Sequence, residues 1–410
     1  MKALSRSSLR VSKPSSLRII WSETMHLDLS LSKTTELEIL NALSNLNHDV
    51  EFIAMRSGAY DVKGNKVRLT LVPVRNFKIV ASVAFSIIQT LLLLKRMVSS
   101  KIDVIITEPG TNFLGFIPLL IVRKFTKTIF VLDIRSTPVE VFGLPGFLEK
   151  LSFNLSVLIA KKHFDGLTII TPLMRDEICE KYNVEPNLVG VWPSGVSLST
   201  FSMSNTSRED LRKKLGLVGK FVIMYHGFIA GDRGLRETVD AIGRLKSNYP
   251  DIVLFFLGSG SYASELKTKV SEMALDNSVV VHDAVDYSDV SKFIAMSDVG
   301  IVPLPDIPQW RHQCPLKILE YLAMGKPVIL TSIPAHRAII GDEKCGIFLR
   351  SSEPEEIAKS IVLAYENKDK LPVWGQKGIS IANEYSWDKV AKDLNDYLEK
   401  IIVSKSACQP

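Results

Sequence analysis

Along the chain, short runs of Val, Ile, Leu and Phe alternate with segments in which apolar residues recur every three or four positions. The short runs read as strands over 17–21 (LRIIW), 50–54, 67–72, 103–107, 128–132 and 167–170. A second set follows over 221–225 (FVIMY), 252–257 (IVLFFL), 278–281, 299–302 and 327–330. The periodic segments predict helices over 35–46, 148–162, 172–182, 234–247, 262–274, 288–296, 315–324 and 354–366. Strands that are apolar at nearly every residue are covered on both faces, as in a parallel sheet between helix layers. Two such sets flank the irregular stretch 192–207 (WPSGVSLSTFSMSNTS). The pattern is therefore α/β, with two doubly wound Rossmann-like domains facing a cleft. The predicted boundaries are a basic tail over 1–16, domains over 17–195 and 196–385, and a last helix with its tail over 386–410. That helix is expected to cross back to the first domain.

One apolar run, Ile79 to Leu94, is longer than the others and ends at Lys95 and Arg96. It falls short of the ~20 residues of a spanning helix. Ser82, Ser86, Gln89 and Thr90 recur at helical spacing and draw a narrow polar stripe along it. Two readings stand: a mostly buried helix of a large domain, or a monotopic helix whose apolar face touches a bilayer. In the second, Lys101, Arg123, Lys124, Lys127, Lys161 and Lys162 would meet anionic headgroups. A formal charge of +6 on 410 residues suits phosphate or anionic lipid and gives no indication of nucleic acid. The four cysteines (Cys179, Cys314, Cys345, Cys408) are too scattered for a disulfide framework or a zinc cluster, which points to reducing cytosol. The first apolar run is too short for a signal-peptide core.

The segment 312–330 (HQCPLKILEYLAMGKPVIL) carries the most chemistry. Pro315 suits a first helical position, and Gly325 followed by Pro327 suits the stop. The free N–H groups of such a helix make an anion site, to which Lys317 in the first turn adds a full charge. Glu320 lies beyond the phosphate, where a carboxylate can hold a ribose diol; the alternative is an ordinary capped helix with a solvated glutamate. A second phosphate candidate is 226–234 (HGFIAGDRG), after a strand, with Gly227, Gly231 and Gly234 allowing close approach and Arg233 at the helix start. The third is 257–263 (LGSGSYA), in which Gly258 and Gly260 together with Asp283 formally satisfy a dinucleotide fingerprint. No Asp-x-Asp, GxxxxGK[ST] or GxSxG occurs, and the seven histidines show no metal-ligand spacing.

Taken in order, these segments resemble a retaining glycosyltransferase of the GT-B fold, family 4 (glycosyl transferases group 1). The likeness covers about 100–400 and is strongest over 221–340. It runs through HFDGLTIITPLMRDEICEKY, VGVWPSGVSLSTF, YHGFIAGDRGLRETVDAIGRL, FFLGSGSYASELK, MSDVGIVPLPD and PLKILEYLAMGKPVIL, and closes on YSWDKVAKDLNDYLEKI. The resemblance implies metal-independent transfer of a sugar, with retention, from a nucleotide-sugar donor held mainly by the second domain. Arg233 and Lys317 would neutralise the diphosphate and Glu320 would hold the ribose. Gly227, Gly231, Gly258, Gly260, Asp283, His312, Pro315 and Leu316 would line the donor site. On the first domain, VLDIRSTP resembles an acceptor-side segment and assigns Asp133 and Arg135 to the acceptor, a structural salt bridge being the alternative. The partners implied are the donor and a lipid-linked or cell-surface glycan acceptor, met in the cytosol at the inner face of a membrane.

The chain departs from that pattern at three places. His312 occupies the position of the motif's first carboxylate, Phe228 replaces a second basic residue, and the first loop (SETMHLDLSLS) lacks a glycine pair. His312 and Phe228 keep a non-catalytic assembly partner open as an alternative. A nucleotide-sugar epimerase would need His312 or the His282–Asp283 pair as its acid and base.

Overall fold

The computed structural model describes residues 16–27, 33–58, 66–74, 78–138, 143–202 and 208–407. The basic tail over 1–15 and Cys408 lie outside these. The chain divides into two compact units, Met1–Trp192 with Ala391–Pro410, and Pro193–Val390.

Among the described residues, unit 1 holds seven strands: β1 (Arg18–His26), β2 (Asp49–Arg56), β3 (Arg68–Pro73), β4 (Val104–Thr107), β5 (Ile129–Ile134), β6 (Gly166–Ile169) and β7 (Val189–Val191). They form one sheet in the order β3-β2-β1-β4-β5-β6-β7, and every pairing is parallel. β7 has no counterpart among the sequence-predicted strands, because three residues give no periodicity to read. Unit 2 holds β8 (Phe221–His226), β9 (Ile252–Leu257), β10 (Val279–His282), β11 (Val299–Val302), β12 (Val328–Thr331) and β13 (Gly346–Leu349). Their order is β10-β9-β8-β11-β12-β13. In both sheets the order reverses beside the first strand of the unit, and such switch points are where ligands bind in doubly wound folds.

The central strands β4, β5, β8 and β9 are buried at every residue, as the unbroken apolar runs require. The second core gathers Ile223, Tyr225, Leu254, Phe256 and Ile301 from the sheet against Leu235, Val239 and Ile242 of helix Leu235–Leu245. Among the described residues, five α-helices escape the sequence pattern: Leu119–Val122, Arg208–Lys214, Pro308–Arg311, Pro334–Ile340 and Leu371–Glu384. The first four are a turn or two long, and the last is interrupted by Gly375 and Gly378 where it meets other elements. The last helix, Trp387–Ala407, gives all but its first turn, from Ala391 onward, to unit 1. There the Tyr397 hydroxyl donates to the Leu188 carbonyl, and Lys405 Nζ donates to the Thr128 carbonyl at 2.9 Å.

Helix Lys78–Ser99 has 22 residues, longer than the apolar run suggested. Its polar stripe is turned inward: Ser86, Gln89 and Thr90 are buried, alongside Ala81, Phe85, Leu93 and Met97 of the unit 1 core.

Candidate functional site

The C-terminal ends of β8, β9 and β11 and the start of helix Leu316–Ala323 bring most of the sequence-selected residues of unit 2 together. The turns after β8 and β9 lie backbone against backbone. The Gly227 amide donates to the Leu257 carbonyl at 2.9 Å and the Ile229 amide to the Ser259 carbonyl at 2.9 Å. A Cβ on Gly258 would stand 1.9 Å from the Gly227 carbonyl oxygen, and one on Gly260 2.2 Å from that of Ile229. Gly234 caps helix Leu235–Leu245 at φ 71 and leaves no room for a side chain, because a Cβ would meet the Pro303 carbonyl oxygen at 2.1 Å. Glycines here let two turns share one floor.

Above that floor sit two cations. Lys317 is buried, and its Nζ donates to the Tyr225 hydroxyl at 3.1 Å and lies 4.3 Å from that ring's centre. Burial first, and the neighbouring Arg233 second, hold its pKa well below the usual lysine range, against the opposing pull of Glu320. The Arg233 guanidinium lies 4.9 Å from the centre of the Trp310 ring and 5.8 Å from that of Phe228. Trp310 is fixed in turn, its indole N–H donating to the Asp232 carbonyl at 3.2 Å. Burial pushes the Tyr225 hydroxyl up to about 12, so it stays protonated and donates to the Phe228 carbonyl at 2.8 Å.

Glu320 is only 3% exposed, which removes the reading of a solvated helix-surface glutamate. One of its oxygens lies 3.3 Å from His226 Nε2. Burial, with Lys317 beside it, holds His226 down to about 3, so the imidazole is neutral and this contact is not an ion pair. His226 and Tyr225 are the site residues that sequence reasoning missed. Their signal is position alone, as the last two residues of a buried strand before a glycine turn.

Two expectations need correction. Pro315 is the N-cap of helix Leu316–Ala323 (φ −68, ψ 118) rather than its first residue. An extended ψ is what a residue just outside the first turn adopts, and the shift places Leu316 and Lys317 at the first two helical positions. Asp283 does not join the group: its carboxylate is 86% exposed and pairs with Lys267 at 3.1 Å. The dinucleotide fingerprint thus lacks its acidic residue. Gly231 lies on the exposed side of the turn after β8, while His312 ends the short helix Pro308–Arg311 and is half-buried.

In unit 1, Asp133 is buried at the end of β5, with one oxygen accepting from Trp192 Nε1 at 2.9 Å and from the Thr168 hydroxyl. Strand register carries Glu23, Glu108 and Asp133 one step past the aligned Ser22, Thr107 and Leu132, side by side on three central strands. Burial raises the pKa of all three, and that of Glu36 to about 7. The Arg135 guanidinium stacks 3.5 Å from the centre of the Trp192 ring and donates to that residue's carbonyl at 2.7 Å. Its charge lowers Asp133 against the effect of burial.

Two doubly wound parallel sheets, with a glycine-floored cationic pocket at the switch point of the second, define the GT-B architecture. Residues 207–381 match the model of the glycosyl transferases group 1 family. It is 27% identical over 235 residues to a D-inositol 3-phosphate glycosyltransferase of Arthrobacter sp., covering 55% of this chain and 54% of that one. It is 25% identical over 224 residues to spore coat protein SA of Bacillus subtilis, covering 50% and 57%. These alignments thus span about half the length of the curated relatives. Among solved structures, Alr3699/HepE of Anabaena in complex with UDP superposes with a TM-score of 0.74 at 13% identity, covering 94% of this chain and 100% of that one. Sucrose-phosphate synthase of Thermosynechococcus elongatus superposes at 0.76 with 14% identity, again covering 94% and 100%.

Proposed function

We propose that this protein transfers a sugar from a nucleotide-sugar donor, with retention, to a lipid-linked or cell-surface glycan acceptor. The observation that carries the donor half is the convergence of Lys317, Arg233 and the start of helix Leu316–Ala323 over the floor of Gly227, Gly258 and Gly260. That is a diphosphate site by chemistry: two cations, free helix N–H groups and backbone bare of side chains. Glu320 then takes the ribose hydroxyls, with neutral His226 3.3 Å from its carboxylate. As the glycosidic bond breaks, charge grows on the departing diphosphate, and the same cations stabilise it without a metal ion. The Anabaena structure with UDP-glucose supports a nucleotide sugar in this fold, and Asp133 with Arg135 is assigned to the acceptor.

Thermal shift with UDP, GDP, ADP, CMP and their common sugars, with and without EDTA, tests the reading. One nucleotide is expected to raise stability by about 2.7 kcal/mol at a hundredfold excess over Kd. The shift should survive EDTA and be lost in Glu320→Gln. Arg233→Ala should lower the transfer rate by ~10²–10³. A second reading, a non-catalytic assembly partner, is favoured by His312 and Phe228 at positions of expected charge. Binding without turnover would select it, and no shift with any nucleotide would overturn the donor assignment.

A further inference from the structure

Helix Lys78–Ser99 is built inside out. On its inner arc the Ser22 hydroxyl donates to Gln89 Oε1 at 2.7 Å, and the Thr90 hydroxyl donates to the Gly115 carbonyl at 2.7 Å. On the opposite arc Val80, Val83, Ile87, Leu91 and Val98 are exposed, Val98 by 78%. These fall at steps of three, four or seven residues and so form one stripe. Helix Gly143–His163 repeats the arrangement. Phe153, Val157 and Ala160 are buried, whereas Leu144, Phe147, Leu151, Leu155 and Leu158 form a second exposed stripe at the same spacing. Between them in sequence, Ile121 and Phe125 stand 64% and 85% exposed.

All three segments lie on one face of the unit 1 sheet. The connections β3 to β4, β4 to β5 and β5 to β6 all run in the same direction across the strand order, and right-handed crossovers place such connections on a common side. An apolar surface of this extent is a partner site rather than scattered exposure. Its charge identifies the partner. Residues 78–99 and 111–132 contain no Asp or Glu, and 143–163 contains Glu149 alone. Lys95, Lys124, Lys127, Lys150 and Lys162 are exposed on these segments. A second copy of the chain would bring cation against cation, whereas an anionic bilayer offers hydrocarbon beneath negative headgroups.

We infer that this face of unit 1 docks on an anionic membrane, with both helix stripes lying in the headgroup–acyl boundary. The helices do not span, because Ala81, Phe85, Leu93 and Met97 are committed to the unit 1 core. The inference rests on the lipid-side part of the proposed function and not on its donor chemistry.

Co-sedimentation of the whole chain with vesicles of phosphatidylcholine, and of equal phosphatidylcholine and phosphatidylglycerol, is the test. The protein should pellet with the anionic vesicles and much less with the neutral ones. The pair Phe147→Ser and Leu151→Ser should weaken partitioning at least about tenfold. Lys124→Glu with Lys127→Glu should weaken binding to the anionic vesicles, by about fivefold for each cation lost. These side chains are outside the core, so unchanged melting and nucleotide binding in the variants confirm folding and score the donor reading separately. Wild-type protein left in the supernatant with both vesicles would overturn the inference. So would pelleting that ignores all four substitutions, or a lipid-free dimer that the serine pair dissociates.

Discussion

Lys317 is a cation whose charge depends on its ligand. In the free protein, burial and Arg233 disfavour its protonated form. A diphosphate beside it supplies the opposite charge and raises its pKa. Binding at a pH above the free-state value therefore takes up a proton, and affinity falls as pH rises. Titration calorimetry in two buffers of different ionisation enthalpy reads this directly. Net proton uptake is expected in the wild type and none in Lys317→Met. In Arg233→Met, uptake should shrink while binding weakens, because removing the like charge restores Lys317 in the free state. Heats that do not vary with buffer would sink this account. Glu320 and Lys317 were legible as residues, because helix start, cation and carboxylate fall in one motif. Their burial was not legible, since it comes from Tyr225 and His226, 92 and 94 positions earlier in the chain (317 − 225 and 320 − 226).

At the scale of elements, the site depends on how closely the turns after β8 and β9 approach. Gly258→Ala would drive a methyl group into the Gly227 carbonyl, at 1.9 Å, and both partners are backbone. The turns must separate, at a cost of about 1–3 kcal/mol, and the floor beneath Lys317 moves with them. Gly231→Ala meets nothing closer than the Tyr262 ring at 3.7 Å and should be nearly neutral. Chemical denaturation and nucleotide titration of the two variants would check the contrast; equal effects would mean that the close approach is unimportant. Strands such as 252–257 and 299–302 were readable to the residue because full burial leaves an unbroken apolar run. β13 was not readable: three of its four residues are only half-buried, at a sheet edge, so no unbroken run marks it. Helix Lys78–Ser99 was legible as a helix but not in orientation. Periodicity fixes which residues share a face and not which face looks inward.

For the whole molecule, the two units carry opposite pH dependences. In Pro193–Val390, burial holds His226 to about 3 and His336 to about 4. An unfolded histidine titrates near ~6.5. The unfolded state thus binds more protons below that pH, and this stabilisation, complete above ~6.5, is lost as pH falls toward the folded values. In unit 1, Glu36 is raised to about 7, and Glu23 and Glu108 are raised as well. Unfolded glutamate titrates near ~4.3. There the folded state holds the extra protons, so stability is greatest below ~4.3 and declines as pH rises through 7. Lowering the pH from about 7 to about 5 should loosen the second unit and firm the first, by on the order of 1–3 kcal/mol each. Hydrogen exchange of β4 and β5 amides against β8 and β11 amides, corrected for intrinsic rates, would resolve the two. Glu36→Gln should reduce the response of unit 1 alone, and His336→Gln that of unit 2 alone. Movement of both sheets in the same direction, unchanged by either substitution, would show that the buried carboxylates and histidines do not set the pH response.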